Sequence, residues 1–289
     1  MWRKAFGRQV AFKCEQLNPT GSFKDRGSAL IAAFLRSRGV RTALEDSSSS
    51  AAASFSAYAA QAGIKARIYV SGAIPEQAQR RINAYGADAV QGYGSPSHAA
   101  EAARRAAENG AVYASHAYLP FNLPGYASLA YEVYDQLGQM PGSLIVPVGQ
   151  GGLILGIQRG FQALQRAGSG GSTPLLVGVQ ARACAPLWAL ASYGRAGLAW
   201  VAEAQTLAEG IRVSQPVRGD AVLQAVFASR GMFVAVDEEE IPTGSVELDR
   251  LGFSIDLTSA VVWNGLAQII GKIPEPVVVV LTGSGLKTK

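Results

Sequence analysis

Short apolar runs and longer alanine-rich stretches alternate along this chain. Runs of strand length lie at 9–15, 42–46, 66–71, 87–93, 111–116, 143–148, 175–180, 233–238 and 276–283. Helical patterning covers 23–37, 51–62, 76–84, 97–108, 126–138, 152–166, 246–250 and 258–270. Several strands, such as "SLIVPV" and "PVVVVLTG", are apolar throughout. A strand that faces water on one side alternates; a continuous apolar run is covered on both faces. Buried strands separated by helices predict an α/β fold with mostly parallel sheets in two three-layer α/β/α lobes. The segment 40–117 reads as four strands with helices between them, a small mobile lobe. Residues 1–39 and 118–289 then form the larger lobe. "AEAARRAAENG" ends in Asn-Gly, a helix stop, and "AGSGGSTP" at 167–174 is too short for a domain linker.

Composition narrows the picture. The chain has 289 residues, 48% of them apolar and 16% charged, with 33 glycines. That fits closely packed α/β architecture and not disorder. The net charge is +5, but the basic residues are scattered, as at Arg80-Arg81 and Arg104-Arg105. No nucleic-acid partner is expected; a basic enzyme for anionic ligands is. Two cysteines, Cys14 and Cys184, make no disulfide framework and suit a reducing, cytoplasmic location. With only His98 and His116, no metal site is expected. "VVVVL" at 277–281 is far too short to cross a bilayer, and the start of the chain lacks the apolar core of a signal peptide. No membrane partner is expected.

Four places can carry chemistry. In "NPTGSFKDRG", Pro19 and Gly21 enforce a turn, and Thr20 or Ser22 can cap a helix starting near Phe23. Lys24 then projects from the first helical turn, at the positive end of the helix dipole, where a cation is disfavoured. An amine there is relieved if it forms an imine with an aldehyde cofactor. The same residues also read as a solvated charged patch. In "SLIVPVGQGGLILGI" a buried strand runs into Gly149-Gln150-Gly151-Gly152 and a helix. Such a turn can wrap a phosphate, or it can serve tight packing. In "EDSSSSAAASF" a strand ends in a hydroxyl-rich loop, Ser47 to Ser50, which can cap a helix and meet a carboxylate. In "VVVVLTGSGLK" Thr282 lies past a buried strand, where ligands of open α/β sheets bind. Its neutral hydroxyl can hydrogen-bond a heterocyclic nitrogen. Gly149–Gly152 does not fit the Gly-x-Gly-x-x-Gly spacing of a dinucleotide-binding turn.

In this order along one chain, the four segments resemble the threonine synthase family, within the fold type II, tryptophan synthase β-like, pyridoxal-phosphate enzymes. "EQLNPTGSFKDRG" is the most specific stretch; "LAEGIRVSQPVR", "GVQARACAPLWA" and "LTGSGLK" are also similar. The resemblance implies pyridoxal 5'-phosphate as cofactor, with Lys24 as its Schiff-base and catalytic lysine. It implies cofactor contacts from Phe23, Ser50, Gly149, Gln150, Gly151, Gly152 and Thr282. It implies a substrate-carboxylate loop at Ser47, Ser48 and Ser49. A small amino acid is then the substrate and a homodimer the assembly.

The chain also departs from the family. The family usually reads Ser-Ser-Gly-Asn-Ala-Gly where this chain has Ser47 to Ala52, so Ser50 stands where the asparagine that meets the cofactor's phenolic oxygen is expected. Leu119-Pro120, Pro124-Gly125 and Ser128 replace residues that help hold a phosphorylated substrate. The nearest activity is conversion of O-phosphohomoserine and water to threonine and phosphate. Serine/threonine dehydratase-like β-elimination, or β-replacement, is the alternative within the class. A catalytically degenerate binding or regulatory protein is the alternative outside it. Arg26, Lys65, Arg80 and Arg81 are candidates for a second phosphate site.

Overall fold

The structure is a computed structural model that describes residues 1–47, 50–72, 76–94, 96–202 and 204–287. It divides into two compact units, Met1–Gln16 with Tyr126–Lys287, and Leu17–Gly125.

The larger unit is built on a six-stranded sheet. Its strands are β1 (Trp2–Ala5) and β2 (Arg8–Cys14), and the smaller unit's β3 (Thr42–Asp46), β4 (Lys65–Ser71) and β5 (Asp88–Tyr93) follow in the chain. Then come β6 (Ser143–Pro147), β7 (Leu175–Ala181), β8 (Met232–Val236) and β9 (Val277–Leu281). The spatial order is β1-β2-β9-β6-β7-β8. Only β1 runs antiparallel to its neighbour. Every residue of β6 and β9 is buried, as continuous apolar runs require in a sheet covered on both faces. Val277, Val279 and Leu281 alternate onto one face and share a core with Val261, Val262 and Leu266. Each such side chain contributes roughly 2 kcal/mol on leaving water.

The smaller unit holds the three-stranded parallel sheet β3-β4-β5. Its helices are α1 (Lys24–Ser37), α2 (Ser50–Gln61), α3 (Glu76–Ala84) and α4 (Pro96–Glu108). The larger unit carries most of α5 (Leu123–Leu137), then α6 (Gly152–Arg166), α7 (Pro186–Tyr193), α8 (Gly219–Ala228), α9 (Ile241–Arg250) and α10 (Leu257–Ile269). One face of the small sheet packs Ile68 and Val70 against Ile31, Leu35 and Phe55; the other packs Leu44 and Tyr69 against Ala99 and Ala103.

Two expectations change. The run 111–116 is not a fourth strand; it touches the sheet at one bridge, between Leu44 and Tyr113. Beyond it, the Ser115 hydroxyl accepts from Ala117 N at 3.2 Å and turns the chain away from the sheet. The helix at 24–37 and the residues 118–125, placed by sequence in the larger lobe, lie in the smaller unit. Ile31 and Leu35 of α1 are part of its core, and Phe121 stacks on Phe34 at 3.9 Å. At Gly125 a Cβ would overlap the Arg26 carbonyl, so the chain there passes directly against α1. Among the described residues no helix is long and apolar enough to cross a membrane, and no group of His, Cys, Asp and Glu has the makings of a metal site.

Candidate active site

In the larger unit the glycine turn follows β6 and Thr282 follows β9. These strands are parallel neighbours in register, Ser143 opposite Val277 and Ile145 opposite Val279. Gly149 to Gly152 and Thr282 therefore lie at the same, C-terminal end of the sheet. Gly151 has φ +79°, and a Cβ on it would run into Val222. A Cβ on Gly149 would lie 3.1 Å from Ile211 Cα, so nothing larger than glycine fits without displacing backbone. Gln150 Oε1 accepts from Val217 N at 3.0 Å, which fastens the turn to the segment before α8. From Gly152 the fifteen-residue helix α6 begins. The N–H groups of a helix's first turn lack intrahelical partners and point outward, as phosphate recognition needs. Arg218 Nη1 is 3.7 Å from where a Gly152 Cβ would be, a cation at the same helix end that sequence reading did not single out. Burial lowers its pKa, and the nearby Arg159 adds to this while Tyr126 opposes it.

Thr282 is 3% exposed. Its hydroxyl lies 2.9 Å from that of Ser259. Ser259 Oγ also donates to Asp256 Oδ1 at 2.7 Å and accepts from Gly283 N at 2.8 Å. Asp256 caps α10 by accepting Ser259 N at 2.8 Å, and its carboxylate fills the space a Gly283 side chain would need. The Thr282 hydroxyl is thus oriented by a capped helix rather than by a mobile loop.

In the smaller unit Lys24 is the first residue of α1 and half-buried, its Nζ 5.0 Å from the Phe23 ring centre. Ser22 Oγ accepts Lys24 N at 3.3 Å, in the capping position expected for it. Thr20 does not cap the helix. Its N–H donates to Asp25 Oδ2 at 2.7 Å and its hydroxyl donates to Asp25 Oδ1. A carboxylate is the stronger acceptor, and Asp25, 2% exposed, needs both donors. Arg81 Nη2 donates to the Thr20 carbonyl at 2.8 Å and closes the clasp. Lys24 is therefore held by a buried network one residue away.

Ser47 donates its N–H to the Tyr69 carbonyl at 3.1 Å, which continues the strand pairing past β3. Ser50 is half-buried and starts α2. Ser48 and Ser49 lie outside the described residues. Sequence reading missed the groups just before this loop. Glu45 and His116 bond side chain to side chain at 2.8 Å, and the Tyr113 hydroxyl donates to Asp46. Burial pushes Asp46 up to about 6, with the Glu45 charge adding to it, while His116 and Tyr113 oppose. Burial also raises Tyr113, helped by Asp46 and Glu45. An acid pair closing a strand, in a chain with so few histidines, was the available signal; the 71-residue separation of Glu45 from His116 hid the contact.

The family profile for pyridoxal-phosphate dependent enzymes matches residues 2–283. A threonine synthase of Methanocaldococcus jannaschii is 31% identical over 97% of this chain and 71% of its own length. One from Synechocystis sp. is 32% identical over 96% of this chain and 72% of its length. Among solved structures, a threonine deaminase superposes with a TM-score of 0.81 at 24% identity, covering 96% of this chain and 88% of that one, and so shares the fold. The chain belongs to the pyridoxal-phosphate-dependent enzymes, in the threonine synthase family.

Proposed function

We propose that this chain is a carbon–oxygen lyase of the threonine synthase kind, taking O-phosphohomoserine and water to threonine and phosphate. The observation that carries this reading is the setting of Lys24. It is a half-buried lysine at a helix start, and the Thr20–Asp25–Arg81 clasp secures that turn.

The residues present suit pyridoxal phosphate within each unit. Glycines where a Cβ would collide with Val222 or crowd Ile211, next to the first turn of α6, form a cradle for a phosphate. The Thr282 hydroxyl would meet the pyridine nitrogen. Lys24 would hold the aldehyde carbon, with Phe23 packing beside the ring and Ser50 near the phenolic oxygen. When bound, the cofactor supplies an electron sink for the pair left on the substrate's α-carbon. The chain's part is then positional and protonic. Ser47, Ser48 and Ser49 would fix the substrate carboxylate through hydroxyl and N–H donors. Lys24 Nζ would take the α-proton and return it later.

A second reading, dehydratase-like β-elimination or β-replacement on an unphosphorylated amino acid, has a specific observation in its favour. Three cations available for a second phosphate are engaged elsewhere: Lys65 with Asp88 at 3.0 Å, Arg80 with Glu76 at 2.6 Å, and Arg81 with the Thr20 carbonyl. The test is an absorbance titration of the cofactor-loaded protein with serine, threonine and O-phosphohomoserine, followed by product analysis. Phosphate and threonine from O-phosphohomoserine support the first reading; ammonia and a keto acid from serine or threonine support the second. A visible band that no amino acid perturbs points to a binding protein without turnover. A homodimer in a cytoplasmic setting is part of this proposal, and sedimentation of the loaded protein tests the assembly.

A further inference from the structure

Glu45 is 1% exposed, and the chemistry above does not use it. Its Oε1 lies 2.8 Å from His116 Nδ1 and accepts Asp46 N at 3.2 Å; its Oε2 accepts His116 N at 3.2 Å. His116 is itself fixed, since Asn122 Nδ2 donates to its carbonyl at 2.6 Å. The pair is thus a built, solvent-excluded feature and not a surface contact.

The charged and titratable groups around Glu45 can be named element by element. Lys24 comes from α1, and its charge acts on Glu45. Asp46 follows in β3, and His116 and Tyr113 come from the crossing segment 111–118. From β4, Ile68 stands opposite Glu45 and Tyr69 opposite Asp46. The faces of α2 and α4 toward the sheet bring Ala52, Phe55, Ala99 and Ala103, all apolar. In so apolar a shell a carboxylate's field is weakly screened.

We propose that the buried Glu45–His116 pair sets the charge of Lys24. With Glu45 ionised, its field favours the Lys24 ammonium; with Glu45 neutral, Lys24 is released toward the amine form that proton transfer requires. His116 steadies the carboxyl in one geometry and biases its ionisation. Glu45 is a positioning residue, acting through Lys24, and the idea rests on Lys24 being the catalytic amine. Burial raises the Glu45 carboxyl to about 8, against the Lys24 charge and the Asp46 and His116 N–H groups. Both charge states are therefore accessible close to neutral pH.

The deciding measurement is the pH dependence of Lys24 modification by an amine-reactive reagent. It is read by mass spectrometry on the Lys24 peptide, in full-length protein without cofactor. In Glu45→Gln the Lys24 midpoint should fall by about one pH unit, because the carboxylate that favours the ammonium is gone. The acid limb of the kcat–pH profile of the loaded enzyme should move with it. In His116→Gln, which keeps a hydrogen-bonding side chain but removes the ionisable ring, a smaller fall is expected. Coincident midpoints in wild type and a folded Glu45→Gln would overturn the proposal. Should Glu45→Gln fail to fold, an unchanged midpoint in His116→Gln does the same. The labelling is independent of whether Lys24 carries the cofactor, which loss of the visible band in Lys24→Ala tests separately.

Discussion

The two units offer different materials for chemistry. The larger unit offers backbone and neutral hydroxyls: a glycine turn, the first turn of α6, and Thr282 steadied by Ser259 and the Asp256 cap. The smaller unit offers titratable side chains: Lys24 with the Asp25 clasp, and Glu45, Asp46, Tyr113 and His116 around the start of the serine loop. Backbone N–H groups do not titrate in the working range, and amines, carboxyls and imidazoles do. Control of pH dependence should therefore reside in the smaller unit, and control of cofactor retention in the larger.

The largest effect should come from Lys24→Ala. Removing the amine should abolish the visible cofactor band and cut turnover by at least about 10²–10⁴-fold, the usual range for a lost general acid–base group. Undiminished turnover with a retained band would remove the smaller unit from the chemistry. Next is the pH slope of stability. Glu45 has a folded pKa near 8, above its ordinary value of 4.5, so the folded state holds a proton that the unfolded state has released between those pH values. Stability should therefore fall as pH rises through that window, by on the order of a few kcal/mol, and Glu45→Gln should flatten the slope in urea unfolding series. An equally steep slope in the variant would mean that other groups carry it.

Gly151→Ala probes the other side of the comparison. The positive φ and the contact with Val222 should together cost about 1–3 kcal/mol. Pyridoxal-phosphate titration should show weaker binding with an unshifted kcat–pH profile. A shifted profile would show that the division of labour is not clean. Smallest should be Thr282→Val, which leaves the Ser259 hydroxyl short of one partner, at about 1 kcal/mol in thermal or urea melts. It too should leave the pH profile in place.

Much of the fold was legible because most strands are continuous apolar runs; β3, with its run of buried residues before Asp46, has the boundaries read from the sequence. β1 was not legible, since "WRKA" has no apolar run. It exists because the Phe6-Gly7 turn, both residues at positive φ, folds it back onto β2. α7 was missed because "PLWALASY" has hardly any polar face to give a helical period. α8, "GDAVLQAVFA", was missed for the same reason. Lys24, the glycine turn and Thr282 were legible because each is a local signal in a stretch of a few residues. The Glu45–His116 pair was not, because a contact across 71 residues is made by the fold and leaves no local trace.

The Ser28–Ser54 contact has a consequence in time. These hydroxyls, 2.7 Å apart, join α1 to α2 in a seam of small buried residues that includes Ala32, Ala51 and Ala52. A seam so narrow cannot loosen at one helix while staying closed at the other, so the two helices form one cooperative unit of local opening. Their amides should exchange with solvent at a common rate, and the start of α1 that carries Lys24 should open together with the helix that Ser50 begins.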